Sequence, residues 1–552
     1  MKKTFVSIGI VFLFSLLVTL PLILPYFHRG YFPTHDGEWA VVRLGDMFRE
    51  LRDHQFPARF SGNLNFGYGY PLFNFAYPLP YYVGIVFVLL KFGFVNSVKT
   101  LFVASVFFSA FFMFLFSSEL WKSRWAGAVS AALYLYLPYR IVDLYVRGSL
   151  GESLAFTFFP LILFGIRRIA HNNSFSKYTI ITAFSFSFLI MTHNIMTVLF
   201  LPILFLFIFL QKFIEKTISY FRLFLPIVIG LFLSSFFWIP ALYEKQYILL
   251  SKIPIADRNL YFVSLKQLVE YRWGYGAPND SQGFSYQIGI PHFILLFLTI
   301  TILLTVIFKK HRVYDKKNIL AWGFSLLSII FVFLLFPFTD FLWKNIPLLS
   351  EINYPWISLG PIGFLVSLLG GYIATRTKIL RYVTFLLTFF AIILFLPFAK
   401  PQYFIDKGDW YYVTNDATTT SSYELMPLWV KKIPNQRAKN KVEIVQGEGL
   451  LTNILYDSSK ITFTAELKSN STIRLNTIFY PGWNVFVDEK SVPISYYNDN
   501  GVIDILVFSG KHMVNARLVE TSVREVSNWI SVMSFVSLLI FSIVYAIKKQ
   551  NV

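Results

Sequence analysis

The sequence contains no cysteine, which excludes a disulfide framework and any thiolate-held metal or redox centre. It is also short of charge. Asp, Glu, Lys and Arg make up 14% of its 552 residues, against roughly 25% in an ordinary soluble chain. Histidine is scarce and scattered, at 28, 35, 54, 171, 193, 292, 311 and 512, so no histidine zinc cluster is written into it. What fills the space is apolar: 55% hydrophobic residues, with 63 Phe and 32 Tyr. Such a chain reads as a polytopic α-helical membrane protein. The formal charge of +19 could suggest nucleic acid. Its excess Lys and Arg instead sit largely in short loops between apolar runs, where they set orientation. The hydrophilic block at about 402–525 is nearly neutral.

Apolar runs fall near 5–24, 98–118, 125–139, 154–167, 178–192, 195–211, 221–240, 291–308, 319–336, 357–374, 381–398 and 528–547. The first follows MKK and lacks a small-residue cleavage pattern, so it reads as an uncleaved first transmembrane helix. One further run, PLPYYVGIVFVLLKFGF at 78–94, decides the topology. If it spans, most basic loops fall outside. If it only dips into the outer leaflet, all seven basic segments fall inside: MKK, 119–124, 167–177, 211–216, 309–317, 375–381 and KKQNV. The second choice predicts twelve spans with both termini cytoplasmic. A membrane domain then covers 1–398, with a long outer loop at 25–97, and 527–552 holds the last span and a tail. The block 399–526 carries period-two segments, KITFTAEL, TIRLNTIF, WNVFV, GVIDILVF and HMVNARLV, separated by turn signals. These predict an extracytoplasmic β-sandwich.

The span interiors are nearly free of ionisable residues, which argues against an ion or proton pathway. The polar groups lie instead at the outer ends of helices. That suits chemistry at the membrane–water interface, on a substrate with a lipid tail and a polar head. Asp36, in YFPTHDGEW, comes first. From Asp36 to Asp53 the apolar Val41, Leu44, Phe48 and Leu51 share one face, predicting an interfacial helix. Asp36 then either caps that helix or takes a proton from an acceptor hydroxyl. The second cluster is YRIVDLYVRGSLGE, with Arg140, Asp143, Arg147 and Glu152. Its charges either pair with one another or grip a phosphate, which the arginine fork suits. His193 lies in MTHNIM between two apolar runs, as a turn residue or a member of the same site. Arg258, in the loop after 241, is a further phosphate candidate. His35 stands beside Asp36 without an assigned task. A divalent cation, Mg or Mn, is left open, with Asp36 and Glu152 as its obvious oxygen ligands.

In this order the residues resemble the GT-C glycosyltransferases, whose hallmark is an acidic residue in the first outer loop. More closely, the chain resembles the bacterial membrane family labelled 6-pyruvoyl-tetrahydropterin synthase-related, with its YfhO-like relatives. The carrying segments are THDG (34–37), QFPARFSGNLNFGYGYPLFNFAYPLPYY (55–82), LPYRIVDLYVRGSLGE (137–152), THN (192–194), LWKNIPLLSEINYPW (342–356) and FYPGWNVFVDEK (479–490). The resemblance implies a GT-C-like fold with half-embedded helices in the first outer loop. It also implies a polyprenyl-phosphate sugar donor used outside the cell membrane, with Asp36 in the place of the catalytic acid. The family commonly has Arg after the PW dipeptide, where this chain has Ile357. If that Arg contacts donor phosphate, the contact is missing here or supplied elsewhere. The pterin label finds no support in the scattered histidines.

Three functions stay in view. The first is an inverting glycosyltransferase. In it Arg147, helped by Arg140 or Arg258, binds donor phosphate, Asp36 is the base, and Glu152, His193 and His35 orient the acceptor or a metal. Its partners are a polyprenyl-phosphate-linked sugar and a glycan, lipid or protein acceptor of the cell envelope. The second is a transporter or flippase for lipid-linked glycans. The third is a non-catalytic scaffold in envelope biogenesis, with the β-domain as its working part.

Overall fold

The computed structural model of the chain describes residues 7–171, 177–277, 282–308 and 315–550. MKK, parts of the basic segments 167–177 and 309–317, and the last two residues lie outside the described residues. Among the described residues, nine helices are long and apolar enough to cross a membrane. Two more helices, Tyr220–Leu233 and Ser235–Tyr247, are long and apolar enough only as a pair and are bent by 67° at their junction. The chain is therefore a membrane protein built mainly of helices.

The other two expected spans are short. The run at 125–139 forms a 12-residue helix, Arg124–Leu135, and that at 178–192 a 16-residue helix, Lys177–Thr192. At about 1.5 Å per residue neither alone covers the ~30 Å hydrocarbon core. Pro138 accounts for the first: it drives Leu137 to an extended ψ of 130°, as the residue before proline must be. His193 ends the second, with extended backbone that starts the next helix. The break at Ser234 is met by the last helix, Ser522–Gln550: the Ser531 hydroxyl pairs with Ser235 Oγ at 2.9 Å and accepts from Phe236 N at 2.9 Å.

The run at 78–94 forms an 11-residue helix, Leu79–Leu89, about 16 Å long and too short to cross. Side chains sort the two ends of the bundle. At one end Arg168 pairs with Glu119 at 3.2 Å, Lys316 with Glu215 at 2.9 Å, and Arg167 reaches Gln211 at 2.6 Å. Arg376 reaches Asn318 there at 3.1 Å. The described parts of the basic loops thus gather at that end. The segments 25–97, 138–149 and 346–358 gather at the other.

The helix Gly37–Arg52 buries Val41, Leu44 and Met47 on its apolar face. Its polar face does not lie free on an interface as the periodicity suggested. Asp46 and Glu50 are also buried, at 2% and 0% exposure. The chain after 399 covers them. Arg43 donates to Thr419 Oγ1 at 3.1 Å, and Gly45 packs so closely on Val413 that a Cβ would lie 2.7 Å from it.

That later chain forms two antiparallel sheets from β1 (Val442–Gln446), β2 (Gly449–Tyr456), β3 (Lys460–Leu467), β4 (Ser471–Ile478), β5 (Trp483–Val487), β6 (Lys490–Val492), β7 (Val502–Val507) and β8 (Gly510–Leu518). Their orders are β1-β4-β7 and β2-β3-β8-β5-β6. Alternation places Ile461, Phe463 and Ala465 of β3 and Val514 and Ala516 of β8 inside, with Ile473, Leu475 and Ile505 from the other sheet. The residues before Val442 form no strand; a short helix, Asp409–Val413, stands there. Just past β8, polar contacts fix the start of the last helix to the first loop and the bent pair. Arg59 donates to Glu520 at 3.2 Å, Asn528 at 2.9 Å and Phe236 O at 2.7 Å. Arg524 forks onto Glu244 with two bonds of 2.7 Å, and Asn74 adds a third of 2.8 Å.

Candidate functional site

Asp36 stands at the N-cap position of the Gly37–Arg52 helix, yet its side chain does not cap it. Thr34 does, its Oγ1 accepting from Gly37 N at 2.9 Å. The backbone of the turn is pinned from below: His35 N and Asp36 N donate to the carbonyls of Val146 and Arg147 at 3.0 and 2.8 Å. Gly148 makes the approach possible. It holds φ +63°, and a Cβ there would sit 2.1 Å from Thr34 Oγ1 and 2.9 Å from Gly37 N. Among the described residues the half-buried Asp36 carboxylate makes no hydrogen bond or ion pair. The sequence left cap and catalyst both open for Asp36; the capping half is now assigned to Thr34.

The chain Pro138–Val142 is helical and runs into a widened turn at Asp143–Arg147. This places residues 140, 143 and 147 on one side. Their charges alternate. Asp143 lies between Arg140 Nη1 at 3.4 Å and Arg147 Nη1 at 3.5 Å. Glu152 then pairs with Arg147 and accepts from Tyr139 OH. Two positive and two negative groups cancel, which is the condition under which such a cluster tolerates burial. The Arg147 guanidinium also lies over the Trp356 ring, 4.7 Å from its centroid.

Arg140 and Arg147 differ in what they leave over. Arg140 is fully buried, donating also to Ser153 O at 3.0 Å and Ser105 Oγ at 3.2 Å. It is a structural cation sealed from any headgroup, which corrects its assignment to phosphate. Arg147 uses Nη1 for its carboxylates and Tyr139. Its Nε and Nη2 donate to no protein group, and they are not among the sealed, partnerless atoms. One edge of the fork therefore stays available. Arg258 is committed too: it donates to Ile352 O and Ser350 O, both at 2.8 Å, and faces Asp340 at 3.7 Å. It holds the segment that carries Tyr354 and Trp356, so its task is positioning.

Glu152 has 0% exposure and turns inward to Arg147, so it is not poised for a metal or an acceptor. His193 caps the Asn194–Ile214 helix, Nδ1 accepting from Met196 N at 3.1 Å. Its ring stacks on Tyr77 at 5.7 Å. His35 is engaged with Tyr275 O at 3.0 Å, tying the first loop to a later one. Burial pushes the Tyr354 phenol up to about 12, with Tyr261 and the Asp36 charge adding. Tyr77 is raised as well, first by burial, with the Asp36 charge among the contributors. Asp36, Arg147, Tyr77 and Tyr354 therefore share one polar cluster with Glu152 and His193 behind them. Ile357 is buried and contributes no charge. Tyr77 and Tyr354 were not singled out in the sequence, because tyrosine is common throughout this chain.

No group of three or more His, Cys, Asp or Glu among the described residues could hold a metal ion. A divalent cation would find Asp36 there, with Glu152 and Asp143 turned to arginine. The donor set does not fit one.

No family model matches the sequence. A protein of Lactococcus lactis subsp. cremoris (strain MG1363), described as uncharacterized, is 25% identical over 623 aligned positions, covering 100% of this chain and 97% of that protein. The apo oligosaccharyltransferase of Archaeoglobus fulgidus overlays with a TM-score of 0.42 at 11% identity, covering 77% of this chain. The chain spans 61% of that structure's length.

Proposed function

We propose that the chain is an inverting membrane glycosyltransferase that takes a sugar from a polyprenyl-phosphate donor. The observation that carries this reading is the uncommitted Asp36 carboxylate, held by backbone hydrogen bonds to the Val146–Arg147 carbonyls while Thr34 does its capping. The sequence resemblance to GT-C enzymes gives that carboxylate the same place. By the positive-inside rule the end with Arg168, Lys316 and Arg376 faces the cytoplasm, and the cluster faces outward.

In this reading the donor enters from the outer leaflet and its phosphate meets the free Nε–Nη2 edge of Arg147. The acceptor hydroxyl gives its proton to Asp36 as its oxygen attacks the anomeric carbon. The bond from that carbon to the phosphate oxygen breaks, and its electron pair leaves with the lipid phosphate. Arg147 stabilises the charge that develops there. Asp143 and Glu152 hold the guanidinium in plane from behind. Arg140 and Arg258 position the turn and the Tyr354 segment. The acceptor is a glycan, lipid or protein of the envelope.

The test uses membranes of a deletion strain complemented with wild type or Asp36→Asn, supplied with labelled polyprenyl-phosphate sugars. Wild type transfers label to an envelope fraction, and Asp36→Asn does not. Equal transfer by Asp36→Asn overturns the assignment of the base. A lipid-linked sugar that crosses proteoliposomes with no transfer product overturns the enzyme reading.

A further inference from the structure

At the far end of the Gly37–Arg52 helix from Asp36 lies a cavity of about 340 Å³ between the helical part and the sandwich. Its volume falls in the range of small-molecule sites, about 300–1,000 Å³. One wall is the helix end, with Arg49, Arg52 and Asp53, and the turn Gly62–Tyr68. The other is the segment 437–441 with Tyr456–Ser458 and Asn476. Seventeen residues of helical rise at about 1.5 Å each put Asp53 on the order of 25 Å from Asp36.

The lining is basic. Arg49, Arg52, Arg437, Lys439 and Lys441 face it. Arg49 pairs with Asp46, Arg52 with Asp53 and Arg437 with Asp416, which leaves the two lysines without an ion pair among the described residues. Lys441 forms its floor. Nζ donates to Gly67 O at 2.7 Å and Asn476 O at 3.1 Å, one from each wall. An ammonium has three donors, so one remains, and no carboxylate pairs with Lys441 among the described residues. Burial, with the Arg437 charge adding, pushes this amine down to about 7, so it is half charged at neutral pH and an arriving anion would draw it to the ammonium form with that third donor. Lys439 is exposed and makes no ion pair among the described residues. Arg437 is braced by Asp416 at 2.5 Å and Asn63 at 2.9 Å, which fixes its fork at the rim.

The remainder of the lining is aromatic and amide. Phe66, Tyr68 and Tyr456 stand among Asn63, Asn440 and Asn476. The turn that carries Phe66 is unusual: Asn65, Phe66 and Gly67 all hold left-handed backbone, at φ 54°, 58° and 78°. Asn tolerates that region, whereas Phe66 there stores strain of about 1–3 kcal/mol, which clusters at ligand clamps and active sites. Aromatic faces with amides suit sugar rings, and the uncompensated cations select an acidic substituent on them.

We infer that this cleft binds an anionic saccharide, a sugar ring bearing a carboxylate or phosphate. The binding stands apart from the catalytic reading. Where that reading holds, the cleft retains an acidic glycan acceptor whose growing end reaches Asp36 along the helix.

The experiment is isothermal titration calorimetry on the full chain in nanodiscs. The probes are tri-galacturonate, glycerol 3-phosphate, inorganic phosphate and maltotriose. Tri-galacturonate is expected to bind saturably and at least about tenfold more tightly than neutral maltotriose, weakening as salt rises. Lys439→Gln with Arg52→Gln, both at exposed positions, should weaken it about tenfold with an unchanged thermal melt. Lys441→Gln should weaken it further, its melt being recorded because Nζ also bridges the walls. Asp36→Asn should bind as wild type does, so that failure of the catalytic assignment leaves this result readable. Absence of saturable binding, equal affinity for maltotriose, or equal affinity for inorganic phosphate overturns the proposal. So does an affinity untouched by the Lys439/Arg52 pair.

Discussion

Replacing Glu244 by Gln tests what joins the last helix to the bent pair. Glu244 and Arg524 are each 1% exposed. The two carboxylate oxygens receive Arg524 Nε and Nη2 at 2.7 Å each, Asn74 at 2.8 Å and Thr521 at 3.4 Å. The guanidinium also lies 5.4 Å from the Tyr480 ring centroid. Two scales compete for the size of the effect. Polar contacts within bilayers average about 0.6 kcal/mol and reach about 1.7. Breaking one partner out of a buried ion pair costs about 3–5 kcal/mol. The structure favours the larger. Gln would leave Arg524 buried with no counter-ion, near Arg59, whose own carboxylate partner is Glu520. The new amide would also leave Arg524, which can only donate, facing an uncharged acceptor at best. Glu244→Gln should therefore lose about 3 kcal/mol or more, and Arg524→Gln about as much. The double variant should lose much less than their sum, giving a coupling energy of about 2 kcal/mol or more. Reversible unfolding in mixed micelles, followed by tryptophan fluorescence, measures all three. A Glu244→Gln loss below about 1 kcal/mol, or strict additivity, would refute the idea that this pair carries buried charge.

Three further outcomes are expected. Asp36→Asn should lower the sugar-transfer rate by about 10²–10⁴ while leaving the thermal melt unchanged, because the carboxylate has no protein partner; a rate within a factor of about two of wild type contradicts the assignment. Gly148→Ala should lose transfer activity out of proportion to stability. Its Cβ would displace Thr34 and so shift Asp36, for a stability cost of about 2–5 kcal/mol from the left-handed backbone and the clash together. Thr34→Val, which removes the cap without the clash, should show a milder form of the same defect. For pH, burial pushes the Asp46 carboxyl up to about 6 and raises Glu50 too. A raised carboxyl stabilises the fold fully below its ordinary value of about 4. That stability is lost as pH rises through about 6. The melting temperature should accordingly fall between about pH 4 and pH 6, the raised Glu50 extending the fall upward, and Asp46→Asn should flatten its lower part.

The spans with uninterrupted apolar sequence were legible because length and hydropathy alone decide them. The three that deviate do so through local chemistry: Pro138 at 137–138, the His193 cap, and the Ser234 break satisfied by Ser531. That last partner is almost 300 residues away, beyond any local pattern. In the sandwich, β3 and β5 match the alternating segments residue for residue. The strand β2 was missed because Leu450, Leu455 and Tyr456 are exposed at 59–70%, so its apolar residues do not mark an inner face. Within the cluster, the sequence placed Asp36, Arg147 and His193 together through topology. It could not say which arginine keeps a free edge. Arg140 and Arg147 carry the same charge in the same segment, and only packing separates them: Arg140 against Ser105, Ser153 and Phe156, Arg147 against Trp356. Thr34 was the available signal for the cap, a hydroxyl three residues before Gly37.

The anchoring of the first loop has a consequence for how the protein is made. Arg59 meets Glu520 and Asn528 across 461 and 469 positions of sequence, and Arg43 meets Thr419 across 376. Translation delivers the Asp36 segment among the first, and its partners among the last. Contacts so distant in sequence form late, after chain-closure entropy has been overcome. Through most of synthesis the loop must therefore wait, its Asp46 and Glu50 hydrated and ionised rather than buried. Asp36 itself is pinned by Val146, Arg147 and Gly148 and can be set early; the far half of its helix waits for the later chain. A product ended before these partners would keep Arg43 and Arg59 without them and leave that end of the first loop open to water.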